Sequence, residues 1–134
     1  MHVKELRIIL TVDNLNEMIK YYTETVGLNI SKEWHEDSGN GIILEAGCAS
    51  LELIDKSHAS RIDQLEVGKR VAGPVRLALN IGENNIEEAS SKFITGGAGK
   101  IAEIKQAPWS KVMRIEDPSG MQISLFETST LFEK

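Results

Sequence analysis

Two arginines each stand second in a run that is otherwise mostly apolar, Arg7 in LRIILTV and Arg76 in VRLALNI. Such runs read as strands, and side chains alternate faces along a strand. Arg7 therefore shares a face with Thr11, and Arg76 shares one with Asn80. Two later runs add matching groups, Glu52 in ASLELI and Gln122 with Ser124 in MQISLFE. A guanidinium carries fixed charge and donates paired hydrogen bonds, but it has no lone pair for a metal. One chemistry open to this set is recognition of an anionic or carboxylate-bearing small molecule through bidentate arginine contacts. Another is an internal ion cluster, with Glu52 between the guanidiniums and Ser124 or Gln122 completing the hydrogen bonds. Both hold together if Glu52 neutralises the arginines until a ligand competes. Glu52 is also the one candidate general base.

Other reactive types offer less. Trp34 and Trp109 are candidates to flank a cavity mouth and stack on an aromatic ligand, with core packing as the alternative. His2, His35 and His58 form no HxH or HxxxH pair and read as surface or rim residues. The single cysteine, Cys48, rules out an internal disulfide and a cysteine-based zinc site, and reads as a small packed hydrophobe. There is no Gly-x-Ser-x-Gly elbow and no phosphate-binding glycine loop.

The elements that must position these residues recur. A first strand spans 5–12. The helix in NLNEMIKYYTETVG carries Leu15, Met18, Ile19, Tyr22 and Val26 on one face, with Asn14 and Glu17 spaced as a cap and Gly27 as its stop. Strands follow in LNISKEWHE, GIILEA and ASLELID. Residues 56–74 show weak periodicity and read as a connection with room for one helical turn. The order then repeats: VRLALNI, a helix in NNIEEASSKFITGG capped at Asn85, and strands in GKIAEIKQA, KVMRIED and MQISLFE. A shift of 69 positions lays Leu6 on Val75, and a shift of 72 lays SLELID on QISLFE. The reading is one domain, 1–134, made of a βαβββ module (1–55), a linker (56–74) and a second module (75–134). One sheet face is apolar and should carry the helices. The mixed face is either a ligand pocket or a solvated surface.

The chain's 134 residues are 41% hydrophobic and 26% charged, ordinary for a globular protein. A net charge of −5 argues against nucleic acid and anionic membranes as partners. No apolar run approaches a membrane span and no signal-peptide pattern opens the sequence, so a cytoplasmic protein is expected.

A doubled βαβββ pattern containing VDNLNEMIKYYTETVGL and PWSKVMRIEDPSG, and ending in EDPSGMQISLFE, resembles the vicinal oxygen chelate superfamily, the group of glyoxalase I, bleomycin and fosfomycin resistance proteins and extradiol dioxygenases. The resemblance covers nearly the whole chain. It implies an α+β fold whose mixed sheets curl around a cavity, and it implies a homodimer. Metal-dependent members take ligands from the first and last strands of each module, positions that fall here on Arg7, Glu52, Arg76 and Ser124. Only Glu52 could ligate, and one carboxylate is too few. The expectation is a small-molecule binding protein of the glyoxalase/bleomycin-resistance type, needing no metal or other cofactor and working by sequestration. Its ligand contacts would be Arg7, Thr11, Trp34, Glu52, Arg76, Asn80, Trp109, Gln122 and Ser124. A divergent lyase or dioxygenase built around Glu52, and an interaction or regulatory module, are the alternatives.

Overall fold

The computed structural model describes residues 7–8, 12–37, 39–49, 55–82 and 84–127. They fall into two compact units, Met1–Leu53 and Ile54–Lys134. Helices combine with antiparallel and mixed sheet, so the class is α+β. Among the described residues no helix is long and apolar enough to cross a membrane.

In the first unit, α1 (Leu15–Lys20) begins at the expected cap, where Asn14 Oδ1 accepts the Glu17 N–H at 3.1 Å. A π-helical turn, Tyr21–Thr25, continues it. The Thr23 hydroxyl donates to the Ile19 carbonyl at 2.7 Å. The Val26 N–H reaches back five residues to the Tyr21 carbonyl at 3.0 Å. The wider turn shifts the phase of the buried stripe. Met18 and Tyr22 face inward as the periodicity predicts, but Tyr21, off that stripe, is buried as well. The two rings meet edge to face, 5.0 Å between centroids. β1 (Asn29–Glu36) and β2 (Gly39–Glu45) pair antiparallel, with Lys32 opposite Ile43 and Trp34 opposite Gly41. Most of the runs 5–12 and 49–55 lies outside the described residues. Cys48 is exposed rather than packed. It sits in the bend after β2, where the strand alternation that would turn it inward does not operate.

The second unit departs from expectation at its start. Residues 56–74 contain an eleven-residue helix, α2 (Lys56–Glu66), capped by Asp55 Oδ1 on the His58 N–H at 2.8 Å. Then come β3 (Leu77–Asn80), α3 (Ile86–Thr95), β4 (Gly99–Lys100), β5 (Lys105–Gln106), β6 (Lys111–Glu116) and β7 (Gln122–Phe126). The sheet order is β3-β7-β6-β4, with β5 also on β6. β3 runs parallel to β7 and the other pairs are antiparallel. The single strand expected in GKIAEIKQA is broken. Residues 101–104 stand opposite Met113 and Arg114 alone, and the N–H groups of Ile101 and Ala102 both donate to the Arg114 carbonyl.

Alternation along β6 and β7 sorts the faces. Met113, Ile115, Ile123 and Leu125 form one buried apolar face, and α3 packs on these strands with Ile86 and Phe93 inward. Asn85 caps α3 on the Glu88 N–H, as expected. Arg114 and Ser124, in register with each other, point to the opposite face. The Asp-Pro-Ser-Gly stretch is the β6–β7 turn. Asp117, 2% exposed, accepts the Ser119 and Met121 N–H groups at 2.9 Å and the Ser119 hydroxyl at 2.8 Å through Oδ1. Gly120 takes φ +92° there, which favours glycine. Asp117→Ala should therefore cost about 1–3 kcal/mol in urea unfolding, while Asp117→Asn, which keeps an acceptor oxygen, should recover most of that loss.

Candidate functional site

The second unit holds its polar groups on the sheet face that carries Arg114. That side chain is 0% exposed. Its Nη1 donates to Asp63 Oδ1 at 2.7 Å and to Gln122 Oε1 at 3.2 Å. Its Nε and Nη2 donate to Glu66 Oε1 at 3.1 and 3.0 Å, and Nε also to Ser124 Oγ at 3.2 Å. The Ser124 hydroxyl donates to the same Glu66 oxygen at 2.6 Å, and Arg76 Nη1 donates to Ser124 Oγ at 2.9 Å. Both carboxylates come from α2, which lies over this face. A buried guanidinium requires such partners, since leaving it unpaired costs several kcal/mol.

Asp63 ties a third segment into the cluster. Its Oδ2 accepts the N–H groups of Val71 and Ala72 at 2.8 and 2.9 Å and Arg70 Nη1 at 2.7 Å. Burial alone would raise this carboxyl. The N–H groups of Ala72 and Val71 and the guanidiniums of Arg114 and Arg70 outweigh it and hold the group well below the usual carboxylate range.

Of the expected ligand contacts, the structure thus gathers Arg76, Gln122 and Ser124 around Arg114. Their carboxylate partners are Asp63 and Glu66, neither of which the sequence reading singled out. A signal for Arg114 existed: in VMRI it repeats the pattern of one arginine in an apolar run. Asn80 is exposed and its Oδ1 accepts the Gly82 N–H at 2.7 Å, a turn-forming bond at the end of β3. Trp109 is half-buried in the 107–110 loop, closed by the Ala107 N–H on the Ser110 carbonyl at 2.9 Å. Thr11 and Glu52 lie outside the described residues.

In the first unit, Arg7 and Trp34 line one hollow of about 280 Å³ together with Lys32, Glu36 and Ile43. Lys32, Trp34 and Glu36 alternate along β1 and so share a face. The indole lies across Gly41, where a Cβ would clash with the ring atoms, so only glycine leaves it room. The result is a flat aromatic surface with Arg7 and Lys32 beside it. A second hollow, of about 360 Å³, is lined by Asp13, Asn14, Leu15, Asn16, His35 and Asn40. His35 and His58 are exposed, and no group of three His, Cys, Asp or Glu among the described residues is placed to hold a metal.

A family model, the Glyoxalase/Bleomycin resistance protein/Dioxygenase superfamily, matches residues 3–125. No curated protein matches the chain. Among solved structures, a hypothetical protein from S. aureus has a TM-score of 0.62 at 16% identity, covering 95% of each chain. An antibiotic binding protein from a Streptomyces species has a TM-score of 0.58 at 20% identity, covering 96% of this chain and 100% of that one. A lactoylglutathione lyase from Agrobacterium tumefaciens has a TM-score of 0.50 at 20% identity, covering 88% of each. At such identities the likeness shows the fold.

The Asp63 environment has a pH signature. Unfolded aspartate titrates near about pH 3.9, and the folded group titrates lower. Between the two values the unfolded chain takes up a proton that the folded chain refuses, so this contribution is complete above about pH 5 and fades as pH falls. Urea unfolding of the wild type should show stability dropping below about pH 4. Asp63→Asn should be less stable at pH 7, by about 3–5 kcal/mol as for other broken buried pairs, and should have a shallower slope in that acid range.

Proposed function

The chain belongs to the glyoxalase/bleomycin resistance protein/dioxygenase superfamily, and we propose that within it this protein binds an aromatic, anionic small molecule and sequesters it without a metal. The observation carrying this reading is the first-unit hollow, where Trp34 offers a stacking surface and Arg7 and Lys32 supply two positive charges against the one carboxylate of Glu36. An aromatic carboxylate matches both features: its ring would stack on the indole and its charge would meet the cations.

The metal-independent part rests on donor chemistry. At the family's ligand position on the last strand, the Ser124 hydroxyl accepts from Arg76 and Arg114 and donates to Glu66. That uses its one donor and both acceptor sites. Arg7 and Arg76 have no lone pair to offer, and their charge opposes a cation. The residues described at these positions therefore do not fit a divalent metal, and no reaction step is assigned to one. The Streptomyces relative described as an antibiotic binding protein supports a binding role on this scaffold. In this reading the protein is a cytoplasmic homodimer.

A panel of aromatic carboxylic acids tests the proposal. At least one member should raise the melting temperature progressively with the logarithm of its concentration, by an amount equivalent to about 2.7 kcal/mol at a hundredfold excess over Kd, and EDTA should not change the result. In a Trp109→Phe background, binding should alter the fluorescence of Trp34, the remaining tryptophan. Trp34→Ala should weaken binding at least tenfold, about 1.4 kcal/mol. Elemental mass spectrometry after incubation with Zn, Ni, Mn and Fe(II) should find less than roughly a tenth of an equivalent, where a real site holds about one. A full equivalent, or stabilisation abolished by chelator, would overturn the reading.

A further inference from the structure

Three donors fixed on the sheet converge on one oxygen. Arg114 Nε, Arg114 Nη2 and Ser124 Oγ lie 3.1, 3.0 and 2.6 Å from Glu66 Oε1. All three come from β6 and β7, whereas the oxygen comes from the last residue of α2. Arg76 adds a second guanidinium on Ser124. This is how a protein grips a ligand carboxylate: charge-assisted donors in fixed geometry on rigid strands.

The helix supplying that oxygen is attached unusually. Among the described residues its fully buried side chains are Ile62, Asp63 and Glu66, two carboxylates against one apolar residue, with Ala59 and Leu65 half-buried. Both fully buried acids of α2 meet the sheet through charge pairs, whose cost of desolvation offsets much of their attraction. Immediately after Glu66 the chain turns, with Val67 and Gly68 both donating to the Asp63 carbonyl and Gly68 at φ +96°.

We infer that Arg114 and Ser124 form a carboxylate-binding site in the second unit, that Glu66 is its built-in occupant, and that a small organic carboxylate exchanges with Glu66 by displacing the C-terminal turn of α2. The inference names a second anion site for the same ligand class as the hollow at Trp34, and it stands or falls on different residues. Exchange needs no new charge in the interior, since one carboxylate replaces another. Asp63 stays bound to the 70–72 loop and keeps the helix tethered while Glu66 swings out.

Benzoate is the probe, titrated into wild type, Glu66→Ala, Glu66→Ala/Ser124→Ala and Trp34→Ala, with chloride at equal ionic strength as control. Binding is followed by calorimetry and thermal shift, and the amides of residues 62–67 by hydrogen exchange. Glu66→Ala should bind benzoate at least tenfold more tightly than wild type, because the internal competitor is gone, and benzoate should restore its melting temperature where chloride does not. Adding Ser124→Ala should weaken that binding at least tenfold. In wild type, saturating benzoate should speed exchange at 62–67. If Glu66→Ala does not fold, Glu66→Gln takes its place with the same expected order. Equal affinity in wild type and the Glu66 variants, or unchanged exchange at 62–67 in saturated wild type, would overturn the inference. Binding lost in Trp34→Ala and indifferent to Glu66 would overturn it while leaving the first-unit reading intact. Binding tightened by Glu66→Ala and indifferent to Trp34 would do the reverse.

Discussion

A guanidinium with no access to water is the constraint around which the second unit is organised. Arg114 sits mid-strand on β6, where alternation turns it away from the apolar face that α3 covers. Charge in that position is tolerable only with anionic partners at hydrogen-bond distance. The neighbouring strand supplies none: its Ser124 and Gln122 give dipoles, not charge. The carboxylates must come from outside the sheet. That requirement fixes where α2 lies, how its Asp63 and Glu66 are rotated, and, through Asp63, how the 70–72 loop returns toward β3.

Much of the scaffold was legible. Asn14 and Asn85 as caps, the hairpin of β1 and β2, the succession of strand, helix and strands along the second unit and the Asp-Pro-Ser-Gly turn all follow from local rules that a sequence displays directly. α2 was not legible because its inward face is Ile62, Asp63 and Glu66. Hydrophobic periodicity detects a helix that packs on oil, and this one packs on a cation. The better signal was at its ends and in what it lacks: Asp55 opens an eleven-residue stretch free of glycine and proline, and Gly68 follows it. Tyr21 was hidden for another reason, since a π-turn shifts the stripe that a constant 3.6-residue period extrapolates.

The candidate site divides along the same line. Arg76, Gln122 and Ser124 are legible because strand alternation is a strict rule, whereas the carboxylates of Asp63 and Glu66 are not, because no sequence signal ties a helix to a sheet face. Arg7 and Trp34 share a hollow for a simpler reason: β1 presents Trp34 with Lys32 and Glu36, and Gly41 across the ladder leaves the indole space. A polar strand face thus names candidate groups. Their occupation by a ligand or by another part of the chain depends on contacts distant in sequence.

The interruption between β4 and β5 bears on how this protein keeps to itself. In the described sheet these two short strands form the border beyond β6. A continuous strand there would present a row of open N–H and C=O groups to any extended chain, including one from another copy. Four residues facing two break that row, and the spare N–H groups of Ile101 and Ala102 turn inward to Arg114. Lys100, Glu103 and Lys105 place exposed charge along the remainder. A border so short, bent and charged is a poor template for strand addition, so the broken strand guards against edge-to-edge polymerisation.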